Sequence, residues 1–91
     1  METLFPLGRL LATPGALDAI EQSGDRLVLF LLRHAAGDWG DLNDEDMRAN
    51  AEALKEGTRL LSAYHLQDGR KLWIITEWDR SATTALLPEE Y

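Results

Sequence analysis

Glu77, Arg80 and the two histidines, His34 and His65, are the residue types of a general acid–base centre in this 91-residue chain. Such a set can cleave RNA. A glutamate takes the 2′-hydroxyl proton, an arginine steadies the charged phosphorane, and a histidine protonates the leaving oxygen. Glu77, Asp79, Arg80, Ser81, Thr83 and Thr84 also form the densest polar cluster of the chain. The pattern is not specific, because the same residues suit any surface turn. His34, near the end of a helical pattern, fits a dipole-facing or capping residue as well as a catalyst.

The second concentration of chemistry is electrostatic. Between Asp38 and Glu56 lie seven acids against only Arg48 and Lys55, a local net charge of −5. Asp38, Asp41, Glu45 and Glu52 are therefore candidate contacts for a basic protein partner. Trp39, bracketed by Gly37 and Gly40, is either a plug in the core or an exposed anchor in that contact. Trp73, Glu77 and Arg80 complete the candidate set from a strand and its turn. Asp38, Asp41, Asp44 and Asp46 lack the turn glycine and closing bidentate glutamate of a calcium loop, so no metal is expected. No P-loop, dinucleotide fingerprint or Ser-His-Asp grouping is present, and no cofactor is expected.

These residues need elements to hold them. Leu4 to Ala12 reads as a short strand, and Thr13-Pro14 as a helix start with Thr at the N-cap. Leu17 and Ile20 give that helix its buried edge, and Ser23-Gly24 stops it. Asp25 is placed to cap a second helix that ends at Gly37, although Leu27 to Leu32 has the composition of a buried strand too. In the third helix Asn43 is the N-cap and Asp44, Glu45 and Asp46 oppose the helix dipole. Leu42 staples onto Met47, Met47, Ala51 and Leu54 make the apolar stripe, and Gly57 closes the helix.

Arg59 to Leu66 and Lys71 to Trp78 flank Gln67-Asp68-Gly69-Arg70, a hairpin signal. After a turn at Asp79-Arg80-Ser81, Ala82 to Leu87 forms the last strand before Pro88. The expected architecture is a single α+β domain over residues 1–91, ordered β-α-α-α-β-β-β. It combines an antiparallel meander of three or four strands with helices on one face. In the middle strand Trp73, Ile75 and Glu77 share one face, and Leu72, Ile74, Thr76 and Trp78 the other. If helices cover the second face, Lys71, Trp73 and Glu77 meet solvent or a partner. Tyr64 or His65 and Thr83 or Thr84 would stand beside them.

Composition limits the functions open to this chain. Sixteen acids against nine bases give −7, which disfavours direct contact with a nucleic-acid backbone. The same acidity speaks against an RNase. It is compatible with a basic partner or with plain solubility. The absence of cysteine excludes disulfides, thiolate catalysis and cysteine-bearing zinc sites, and fits a reducing cytoplasm. The longest apolar run, six residues, is too short to span a membrane, and the first residues lack the pattern of a signal peptide.

The blocks Arg33 to Leu42, Trp73 to Glu77, Asp79 to Thr84, Leu87 to Tyr91 and Ala12 to Leu17 together resemble a family of small uncharacterised bacterial proteins. That family is met on plasmids and other mobile elements, and Trp78 departs from the small residue expected there. The resemblance implies a setting, mobile DNA in the bacterial cytoplasm, and carries over no catalytic residue. Together with the charge it leads to the expectation of a non-enzymatic protein-interaction module. One form would be a DNA-mimic-like or groove-blocking inhibitor of a nucleic-acid-handling defence complex. Two alternatives are an RNase-like toxin enzyme of the barnase kind, whose sheet also forms a meander, and a structural homodimer.

Overall fold

The computed structural model describes residues 3–91. Its elements run β1 (Arg9–Ala12), α1 (Pro14–Ser23), α2 (Leu27–Ala35), α3 (Asp44–Glu56), β2 (Leu60–His65), β3 (Lys71–Thr76) and β4 (Ala82–Leu86), then a 3-10 turn at Pro88–Glu90. This is the expected β-α-α-α-β-β-β order. The strands form one sheet in the order β1-β4-β3-β2. It is mixed, not purely antiparallel, because β1 runs parallel to β4. Tight turns force β2, β3 and β4 to alternate. β1 reaches the sheet only through three helices, so no turn dictates its direction.

Local signals set most boundaries. Thr13 caps α1 by accepting the Ala16 N–H at 3.1 Å, and Asn43 caps α3 by accepting that of Asp46 at 2.8 Å. Asp68 and Gly69 turn the β2–β3 hairpin, with Asp68 accepting from the Arg70 N–H. The apolar run from Leu27 is helical, not a strand. Asp25 does not cap it; Arg26 holds the N-cap position without a side-chain bond. The Asp25 carboxylate instead accepts from the Ser23 hydroxyl and the Gln67 N–H. These two bonds hold its pKa below the ordinary carboxylate value.

The helices cover the sheet face that carries Leu60, Ser62, Tyr64, Leu72, Ile74, Thr76, Thr83 and Ala85, all buried. Ala16, Ala19 and Ile20 of α1 and Phe30 and Leu31 of α2 pack there. A second cluster joins Phe5, Ala53 and Leu60. Three expectations about faces need correction. Leu17 is 51% exposed, so α1 buries its two alanines and Ile20 instead. In α3 Met47 and Ala51 face solvent, and the inner edge is Asn50, Ala53 and Leu54. Trp78 lies beyond the end of β3 and is 66% exposed. No helix among the described residues is long and apolar enough to cross a membrane.

Candidate protein-interaction surface

The connector between α2 and α3 places the first candidate residues, and it does so through backbone pairing. Trp39 accepts the Ala63 N–H at 3.0 Å and the Asp41 N–H donates to the Ala63 carbonyl at 2.7 Å. Residues 39–41 thus lie along the outer edge of β2 like one turn of an extra strand. Gly40 permits this approach. Its φ is +76°, and a Cβ there would overlap the Ala63 carbonyl and the Tyr64 ring. Asp38 is bound to Arg33, Oδ2 to Nε at 2.7 Å, while its own carbonyl accepts from the Tyr64 hydroxyl at 2.6 Å. The Arg33 hydrogen bond holds the Asp38 pKa below its ordinary value, and burial pushes that of the Tyr64 phenol up to about 12. Asp38 is a latch on α2 more than a free charge.

Trp39 is the plug rather than the anchor. It is half-buried, stacks on Phe5 at 6.1 Å and meets the His34 ring edge-on at 5.5 Å.

The acid–base set does not assemble. His34 is 0% exposed. Its Nδ1 lies 2.5 Å from the Ser62 hydroxyl and its Nε2 lies 2.8 Å from that of Thr76. Thr76 in turn contacts Thr83 at 2.7 Å, and Thr83 donates to the Leu7 carbonyl. Proton counting fixes the tautomer. The Thr83 proton goes to Leu7, so Thr76 must donate to Thr83, and His34 Nε2–H must donate to Thr76. Nδ1 is left to accept from Ser62. Burial, with the Arg80 charge nearby, lowers the His34 pKa to about 4, so the ring is a neutral strut of the core.

Arg80 is equally occupied. Its guanidinium donates to the carbonyls of Thr58, Ala53 and Glu77 at 2.6, 3.0 and 3.0 Å, tying the end of α3 to the β3–β4 turn. Glu77 is exposed but has neither partner in a catalytic pose. His65 stands elsewhere, its Nδ1 at 2.6 Å from Asp41.

What the structure does bring together is an acidic surface and a cavity. All seven acids from Asp38 to Glu56 are exposed. Asp38 pairs with Arg33 and Asp41 with His65; among the described residues the five on α3 make no salt bridge. Glu45, Glu52 and Glu56, at spacings of seven and four, share one side of α3. Where α3 begins, a cavity of about 310 Å³ opens against the sheet face opposite the helices. Its walls are Leu42, Leu61, Ala63 and the half-buried Trp73. Asp41, Asp46, His65 and Lys71 stand around it. Asp41 and Trp73 therefore meet at one site, with Glu45 and Glu52 on the neighbouring helix. Glu77, Arg80 and Trp39 are not part of it.

Sequence reasoning missed Asn50, whose amide holds both backbone groups of Leu61: the Leu61 N–H donates to Oδ1 at 3.1 Å and Nδ2 donates to the carbonyl at 2.7 Å. It also missed Tyr91, whose ring lies 5.7 Å from Trp73 and 5.2 Å from the Arg59 guanidinium. An asparagine at a position of the α3 inner stripe was the available signal for the first. Among the described residues no three His, Asp or Glu side chains group as a metal ion requires. Comparison of the chain with protein-family models, curated proteins and solved structures returns no match.

Proposed function

We propose that this chain is a non-enzymatic protein-interaction module whose acidic face engages a basic protein. One observation carries this reading: of seven exposed carboxylates in nineteen residues, five make no salt bridge among the described residues, and two, Asp41 and Asp46, border an open cavity with an aromatic wall. Unpaired surface charge of one sign steers a partner of the opposite sign and raises its rate of association. A groove built to bind phosphates is such a partner. On bacterial mobile DNA, the setting implied by the resemblance, the target would be a nucleic-acid-handling defence complex in the cytoplasm, blocked at its groove. The chain itself would touch neither nucleic acid nor membrane.

The test is affinity capture from a bacterial lysate treated with nuclease, followed by binding kinetics on the protein recovered. Glu45→Lys with Glu52→Lys should slow association by about tenfold at low salt and flatten its dependence on ionic strength. Unchanged kinetics after these swaps would reduce the acidic face to a solvated surface and end the proposal.

A further inference from the structure

Resting on that interaction reading, we infer that the cavity between the start of α3 and the open sheet face receives one arginine side chain of the basic partner. The floor suits the apolar stem: Leu42, Leu61 and Ala63 are aliphatic, and such stems bury against apolar surface while the charge stays at the rim. The wall suits the head, because a planar guanidinium stacks on an indole and Trp73 is half-buried there. The rim supplies two exposed carboxylates. That of Asp46 has no hydrogen bond or ion pair among the described residues, and that of Asp41 holds only His65. A volume near 310 Å³ has room for one long side chain. Backbone pairing at Ala63 fixes the Asp41 wall before binding, so little ordering is required of it.

Lys71 sets the sign of the test. It is exposed, makes no ion pair among the described residues, and stands on the rim between this cavity and a neighbouring depression that contains Glu89. A cationic occupant is repelled by Lys71, whereas an anionic or zwitterionic occupant is held by it.

The experiment is a titration of the full chain with N-acetyl-arginine amide, following the Trp73 indole N–H by NMR, with that signal assigned by its loss in Trp73→Phe. A nona-arginine peptide is titrated in parallel. Saturable movement of the Trp73 signal is expected, with N-acetyl-lysine amide binding more weakly. Lys71→Gln should tighten binding and Asp46→Asn weaken it, each by roughly two- to tenfold. Weakening by Lys71→Gln, or a Trp73 signal that stays still, overturns the arginine pocket. If the peptide then still binds and is lost in Glu45→Lys with Glu52→Lys, the acidic-face reading survives without the pocket. If the peptide fails to bind while the amide moves Trp73, the pocket stands and the wider acidic face fails.

Discussion

The two edges of the sheet are treated in opposite ways. Along β2 the outward backbone groups are all engaged over three residues: Leu61 by the Asn50 amide and Ala63 by Trp39 and Asp41. Along β1 nothing comparable occurs among the described residues. The Arg9 N–H donates to Ser81 and the Thr13 N–H to Ala85, which turns the N–H and C=O of Leu10 and Ala12 away from β4. Leu10 and Leu11 are 57% and 41% exposed beside them. An open edge is a template for another strand, and proteins commonly cover it. Here the covered edge is the one beside the acidic face and the cavity. The same backbone bonds that close β2 hold Asp41 in place, so closure and site are one construction. Precise sites sit on rigid elements, and the closed edge is where the proposed pocket stands.

The sharpest way to break that contrast is Gly40→Ala. The residue sits at φ +76° and its Cβ would run into the Ala63 carbonyl. Strain and lost pairing together should cost about 3 kcal/mol or more in denaturant unfolding. A loss below about 1 kcal/mol would mean that the 39–41 segment can leave β2 freely, and the closed edge would not be a rigid wall.

Behind the closed edge, His34 joins α2 to β2 through Ser62 and to β3 through Thr76. Its depressed pKa makes this join sensitive to acid, with a definite sign. The folded chain keeps the ring neutral down to about pH 4, whereas the unfolded chain takes up the proton near its ordinary value of 6.5. Between 6.5 and 4 the unfolded state therefore binds more protons, and stability falls as pH falls. The loss across the window should be on the order of 3 kcal/mol, and little more from this group below it. Unfolding curves at steps through that window measure it. His34→Gln should flatten the slope, and an unchanged slope would place the acid sensitivity in another group.

Asn50→Ala comes next. It leaves the Leu61 N–H and C=O without partners at a position 3% exposed on the helix side, for a loss of about 2 kcal/mol. It also gives the molecule a second open edge, so concentration-dependent aggregation should rise. Stability equal to the parent would show that water replaces the amide, and the edge would be covered in name only.

The frame of this molecule was legible in its sequence, and its ties were not. Thr13-Pro14, Asn43 and Asp68-Gly69 act on backbone within a few residues, so their effect is visible locally. The faces of β3 followed from alternation, and Leu72, Ile74 and Thr76 do lie under the helices. The direction of β1 is decided by packing across the whole chain. Asn50 finds Leu61 eleven residues away, Arg80 finds Ala53 across twenty-seven, and His34 finds Thr76 across forty-two. A polar residue in an amphipathic pattern reads as exposed until its distant partner is known, which is why His34 and Arg80 resembled catalytic groups. Of the candidate residues that chemistry suggested, Asp41 and Trp73 line the cavity. Leu42, Leu61 and Ala63, which shape the cavity around them, carry no chemistry that a sequence displays.

The gentlest probe falls on the open edge. Leu11→Lys adds a charge to a side chain already in solvent, at a strand edge where lysine is a common guard. If β1 is free, stability should stay within about 0.5 kcal/mol of the parent. Hydrogen exchange supplies the companion measurement: the amides of Leu10 and Ala12 should exchange far faster than those of Leu61 and Ala63. Protected Leu10 and Ala12 amides, or a loss of stability that grows on dilution, would mean that a second copy of the chain pairs along β1. The two edges would then both be covered, one by the chain itself and one by its twin, and the monomer would be half of the working unit.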